Sequence, residues 1–274
     1  MKTNRGWTVA SYAIVAAFLV GVLVPIAAVV LNSFKQPNDI FSSTLKLAFS
    51  PTLDNYSKVL GQLQFQDFLV NSTVVAAGST VLSIVVGVPA AYALARLPLR
   101  GRELWAGAIL FTRMVPAVAL VVPMYVIFQR LELLGSYTAL IAAHTTFNLP
   151  IVVWMMRSFF EELPPDLEEA ALVDGANRLG AFIRVAVPLT APGLAATSVL
   201  CLLFSWNEFL FALVLSGRGT QTVPIGVASF IGTVSVDWGG SSAAAVLAML
   251  PVFVLGLAAQ RFLVRGLTFG AVKG

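Results

Sequence analysis

Residues 68–94 read FLVNSTVVAAGSTVLSIVVGVPAAYAL, a run without one charged side chain. A bilayer core about 30 Å thick takes roughly 20 mostly apolar residues per helix, because each backbone group must find its partner within the segment. This run is long enough. Ser79, Ser83, Gly87 and Ala91 recur in it at every fourth position, on one helix face. Small residues so spaced let a neighbouring helix approach closely where hydrophobicity offers no drive. The stretch predicts a membrane-spanning helix packed against others.

Working outward, five more stretches meet the same requirement: about 11–31, 104–128, 137–156, 193–215 and 243–263. The expected fold is an all-α polytopic membrane protein, six transmembrane helices in a single domain over residues 1–274. Composition agrees, with 58% of residues hydrophobic and only 11% charged, against about 25% charged in an average soluble domain. So few charges cannot cover a soluble surface, which excludes an ordinary globular enzyme, a disordered chain and a nucleic-acid-binding module. Pro25, Pro89, Pro116, Pro123, Pro150 and Pro251 lie within spans and predict kinks.

Basic residues near helix ends set orientation. With the N-terminus inside, the inner segments hold Lys2, Arg5, Arg96, Arg100, Arg102, Arg157, Arg178, Arg184, Arg261, Arg265 and Lys273. Only Lys35, Lys46, Lys58, Arg130 and Arg218 fall outside. Both termini are therefore expected in the cytoplasm, and the net charge of +4 reflects topology rather than nucleic acid. A cleaved signal peptide is the alternative for the first span. Its apolar run is too long for that and ends in no small-x-small site, so it reads as an uncleaved anchor. The lone Cys201 lies in an apolar run and allows no internal disulfide.

Charged groups at bilayer depth are costly and call for a role. Counted along straight helices at 1.5 Å per residue, Arg113 lies about 14 Å and Glu208 about 22 Å from the inner ends of their spans. They could pair across the bundle if a kink closes that difference. A structural ion pair weighs as much as a shared role in lining a path with Asn148, Trp206 and Asn207. His144 lies beside Thr145, Thr146 and Asn148 without an adjacent carboxylate in sequence. It reads as an interhelical hydrogen-bonding group rather than a proton relay. One His and one Cys are too few for a metal site, and no GxxxxGK[ST] phosphate loop occurs.

The segment 157–192, RSFFEELPPDLEEAALVDGANRLGAFIRVAVPLTAP, holds six acidic residues of the chain's 13. Pro165 suits a first helical position, Asp166, Glu168 and Glu169 suit a helix N-terminus, and Gly175 suits a helix stop. A second short helix is expected at about 177–185. An amphipathic helix resting on lipid is the plainer reading, but such helices carry Lys or Arg on the polar face and this one is acidic. Small side chains on a capped surface helix fit a knob entering another protein's cleft.

Glu169-Ala170-Ala171, three residues, Gly175, nine residues, then Val185-x-Val187-Pro188 resembles the EAA motif of ATP-binding cassette importer permeases. Two valines replace the usual Ile and Leu. LPPDLEEAALVDGA at 163–176, WNEFLFAL at 206–213 and QRFLVRGLTFGAVKG at 260–274 are similar to the carbohydrate-importer branch, close to the second permease of maltose-type systems. The resemblance implies a type I importer permease fold and a non-catalytic subunit of the bacterial cytoplasmic (inner) membrane. It implies a second homologous permease, an ATPase dimer holding ATP and Mg, and an extracytoplasmic binding protein or lipoprotein touching loop 216–242. No cofactor is implied on this chain. By the motif, the loop 157–192 is the coupling segment, with Glu169, Ala170, Ala171, Asp174 and Gly175 at the ATPase joint and Lys273 reaching it from the tail. The path residues Arg113, Asn148, Trp206, Asn207 and Glu208 would then meet a sugar or sugar derivative.

An ion-coupled secondary transporter is the other class to weigh. It needs intramembrane ion ligands and usually internal repeats, and Glu208 is the one acidic candidate. A channel would want charge rings or a filter loop, and neither is visible.

Overall fold

The computed structural model describes residues 5–42, 46, 48–62, 65–230 and 236–269. The described residues are helical, joined by short connections. The longer helices are α1 (Arg5–Ser33), α2 (Phe65–Arg96), α3 (Arg102–Thr112), α4 (Ala117–Arg130), α5 (Tyr137–Glu162) and α6 (Pro165–Val173). They continue as α7 (Arg178–Leu189) and α8 (Ala191–Trp206), α9 (Leu210–Leu215) and α10 (Trp238–Phe269). Four helices are long and apolar enough to cross a membrane, and up to six spans result if the bent pairs α3–α4 and α7–α8 each count as one. The chain packs as two compact units, residues 1–66 with 226–250, and residues 67–225 with 251–274.

In the first unit, α1 exposes its apolar side chains along most of its length, as a helix bathed in lipid or facing a partner does. Its C-terminal carbonyls lack intrahelical partners. Asn55 supplies donors there, its amide reaching Ser33 O at 3.0 Å and Lys35 O at 2.9 Å. Close to Asn55, Gly239 has no room for a Cβ, which would lie 2.5 Å from Asn55 Oδ1. Asp237 stands before α10, accepting from Gly240 N–H at 3.0 Å and pairing with Lys58. Partial burial pushes the Asp237 carboxyl up, but the Lys58 hydrogen bond, the Gly240 amide and the Lys58 charge outweigh it and hold it below the usual aspartate value.

In the second unit, α2 is the central post. The stripe Ser79, Ser83, Gly87 and Ala91 is buried. A Cβ on Gly87 would lie 2.8 Å from Val152 Cγ1 of α5, so close approach is what the small residues permit. Two apolar layers form along this post. One gathers Val88, Tyr92, Val152, Met156, Phe160 and Cys201, the other Val75, Val121, Phe128, Leu140, Phe211 and Leu215. Between them Ser79 Oγ and Ser205 Oγ share a hydrogen bond of 2.9 Å.

Several expected spans differ in outline. The stretch expected at 104–128 is broken at residues 113–116, where α3 and α4 meet at 87°. Pro116 cannot continue the hydrogen-bond ladder. The stretch expected at 193–215 is two helices, because α8 ends at Trp206 and α9 starts at Leu210. The helix expected at about 177–185 runs on to Leu189 and turns 75° into α8. Its N-cap is Asn177, whose Oδ1 accepts from Gly180 N–H at 2.7 Å.

Candidate functional site

The break in α3–α4 and the break between α8 and α9 face one cavity of about 430 Å³. Its walls include Arg113, Thr146, Phe147, Phe204, Glu208 and Phe211. The rings of Phe147 and Phe211 run nearly parallel with centroids 6.1 Å apart. The Arg113 guanidinium donates to Phe147 O at 2.7 Å and lies 5.0 Å from the Phe204 ring centroid, within cation–π range. Glu208 accepts from the N–H groups of Phe211 at 3.0 Å and Ala212 at 3.1 Å. It thereby satisfies amides that the first turn of α9 leaves open.

Neither Arg113 nor Glu208 sits on a straight helix, so a depth counted along one does not apply to them. Both line the cavity, yet among the described residues they form no ion pair with each other. Glu208 stands instead beside His144, whose Nε2 lies 3.5 Å from Glu208 Oε2. His144 therefore does have an adjacent carboxylate, supplied from a distant part of the chain. The ring is fully buried and packs 5.3 Å from Phe147, centroid to centroid.

Asn148, Trp206 and Asn207 stand apart from the cavity lining. Asn148 is fully buried and donates to Ser205 Oγ at 2.9 Å and Cys201 O at 3.4 Å, a node joining α5 to α8. Trp206 is buried at the end of α8. Asn207 is exposed and donates to Leu203 O of α8 at 2.8 Å. Of the five residues singled out from the sequence, the cavity brings together Arg113 and Glu208. The three phenylalanines were missed, although two of them flank the WNE triplet at 206–208.

A second cluster surrounds α6. Pro165 opens the helix, with Asp166 and Glu168 in its first turn, where acidic groups complement the helix dipole. The helix stops at Gly175, with φ +89°, a left-handed conformation that glycine adopts freely. Gly175 N–H bonds Leu172 O at 3.1 Å and Ala176 N–H bonds Ala171 O at 2.9 Å, the paired closure of a Schellman stop. Glu169, Ala170 and Asp174 are exposed, and Ala171 is half-buried. Val173 is 87% exposed and Leu179 and Ile183 also face outward, an apolar surface beyond what the motif alone marks. The sequence gives prominence to Glu169, but Glu168 is the carboxylate that is buried. Lys273 lies outside the described residues.

The chain is similar to several known proteins. A sulfoquinovosyl glycerol transport system permease from Agrobacterium fabrum is 42% identical over 226 residues, 82% of this chain and 79% of that protein. A trehalose transport system permease from Mycobacterium tuberculosis is 36% identical over 267 residues, 96% and 97% of the two chains. Among solved structures, a chain of a bacterial ABC transporter that imports the acidic polysaccharide alginate superposes with a TM-score of 0.81 at 24% identity, covering 95% of this chain and 98% of that one. At that identity the likeness is one of fold. Residues 83–269, which hold both breaks and the capped helix α6, match the family described as the binding-protein-dependent transport system inner membrane component. The chain belongs to that family and is a multi-pass permease of the inner membrane.

Proposed function

We propose that the chain is one of two permease subunits of an ATP-driven importer for a sugar or sugar derivative, the whole of residues 1–274 acting as one permease domain. Six spans with both termini in the cytoplasm fit the long helices and the two bent pairs. In this reading α6 is the coupling helix. Exposed Glu169, Ala170 and Asp174, with the stop at Gly175, face an ATPase dimer that holds the ATP and Mg. Lys273 adds a contact from the tail. Loop 216–242 meets an extracytoplasmic binding protein or lipoprotein.

The observation that carries the substrate reading is the cavity itself. Three phenylalanine rings stand beside Arg113 and Glu208, and aromatic faces with flanking hydrogen-bonding groups suit the CH faces and hydroxyls of sugars. The permease relatives that transport trehalose and a sulfoquinovosyl glycerol support this class. Arg113 and Glu208 are the path residues in direct reach of cargo, while Asn148, Trp206 and Asn207 stand outside the cavity lining. Opening and closing follow alternating access, driven by closure of the ATPase dimer. Family membership argues against the ion-coupled alternative, and His144 with Glu208 reads as a link between helices.

The test is uptake of labelled di- and oligosaccharides into proteoliposomes holding the complete complex. Glu208→Gln and Arg113→Gln should each change uptake or sugar preference while the complex still assembles. Unaltered uptake and preference in both would remove the cavity from the path.

A further inference from the structure

Two neighbouring glutamates on α6 have opposite surroundings. Consecutive helix positions point about 100° apart, at 3.6 residues per turn, so Glu169 is exposed while Glu168 is buried. Glu168 Oε1 accepts from Arg96 Nε at 2.8 Å, and its Oε2 accepts from the Tyr92 hydroxyl at 2.5 Å. Both donors sit on the last turns of α2. Arg96 Nη2 also donates to Leu163 O, the residue that closes α5, at 2.5 Å. One guanidinium thus holds the start of α6 and the end of α5 together.

The ring of Tyr92 is braced as well. It meets Phe160 of α5 edge-on at 5.4 Å and Phe182 of α7 at 4.7 Å, centroid to centroid. Apolar contacts between helices can slide, whereas a carboxylate held by two directed donors resists displacement. Removing either donor leaves a buried charge short of partners.

We propose that Glu168, Arg96 and Tyr92 are positioning residues that make α6 move as one body with α2 and the end of α5. The inference rests on the coupling role of α6 proposed above, and divides that role between adjacent residues. Glu169 faces the ATPase; Glu168 passes the displacement into the membrane helices.

The experiment compares uptake per ATP hydrolysed in the reconstituted complex, together with co-purification of the ATPase. Glu168→Ala and Arg96→Ala should each keep the ATPase bound and hydrolysing, while uptake per ATP falls about fivefold or more. The double variant should fall no further than either single one, because the residues act as a unit. Arg96→Lys, which retains a donor and the charge, should recover part of the loss. Unchanged uptake per ATP in Glu168→Ala overturns the proposal. So does loss of assembly in both Glu168→Ala and Arg96→Lys, since the linkage would then serve folding alone. Failure of the coupling reading itself looks different: Glu169→Ala would leave ATPase binding and uptake intact.

Discussion

His144 Nε2 lies 3.5 Å from Glu208 Oε2, bringing the N-terminal third of α5 to the break between α8 and α9. Glu208 spends its carboxylate on three tasks at once: it faces the cavity, receives His144 and closes the first turn of α9. Asn207, one residue earlier, is exposed and donates to Leu203 O in the last turn of α8. Glu208→Ala should therefore cost about 1–3 kcal/mol of stability, the penalty for stranding buried donors. Asn207→Ala should cost no more than about 0.5 kcal/mol, as exposed changes do. Thermal unfolding of the purified protein in detergent measures both.

Gly193 stands in the first turn of α8, just past the 75° bend, and a Cβ there would collide with the ring of Phe159. Gly193→Ala should destabilise by about 1–3 kcal/mol, the range for overpacking. Gly107 on α3 has open space where its Cβ would go. Gly107→Ala should be neutral or gain about 0.5–1 kcal/mol, because glycine weakens a helix interior. The same unfolding experiment reads the pair.

Gly175 closes α6 at φ +89°. Any L side chain there strains the left-handed turn, by about 1–2 kcal/mol. Gly175→Val should loosen the end of α6 and lower ATP-driven uptake, while Gly107→Ala, a position with open space and no positive φ, should not. Uptake by the reconstituted complex separates them.

The pairing of Asp237 with Lys58 has a defined pH dependence. The folded carboxyl titrates below its ordinary value, so its contribution is fully present above the unfolded pKa of about 3.9. It is lost as pH falls through the lower, folded pKa. At neutral pH, Asp237→Asn should speed hydrogen exchange at the Gly240 amide, which loses a charged acceptor. Lys58→Ala combined with it should add little.

Much of this was legible in sequence, for a physical reason. A membrane span announces itself by length and apolarity alone, so the runs at 68–94 and 137–156 foretold α2 and the body of α5. The capped helix before Gly175 was legible too, since Pro165 and Gly175 act through local backbone preferences. What could not be read is contact between distant segments. The sequence marks Glu169 through its neighbours Ala170 and Ala171, but which glutamate is buried depends on Tyr92 and Arg96 arriving from α2. His144 gained its carboxylate in the same way. The breaks at 113–116 and 207–209 were hidden because averaged hydropathy runs straight through them, although Pro116 signalled some departure. Polarity alone could not show that the Asn148 amide nitrogen donates to Ser205 Oγ and the Cys201 carbonyl.

Topology has its own check. With Cys201 replaced by serine, a single cysteine at Glu169 should be shielded from an impermeant maleimide in intact cells. One at Arg218 should react. The reverse pattern would invert the orientation and take α6 away from the cytoplasm.

The central claim is that this permease moves its cargo only when an ATPase drives it through α6. The direct measurement is sugar uptake into proteoliposomes holding both permeases and the binding protein, with and without the ATPase dimer and ATP. Uptake that requires both, and that Glu169→Ala abolishes, is the predicted result. Uptake that continues without the ATPase, or follows an imposed ion gradient instead, would contradict it.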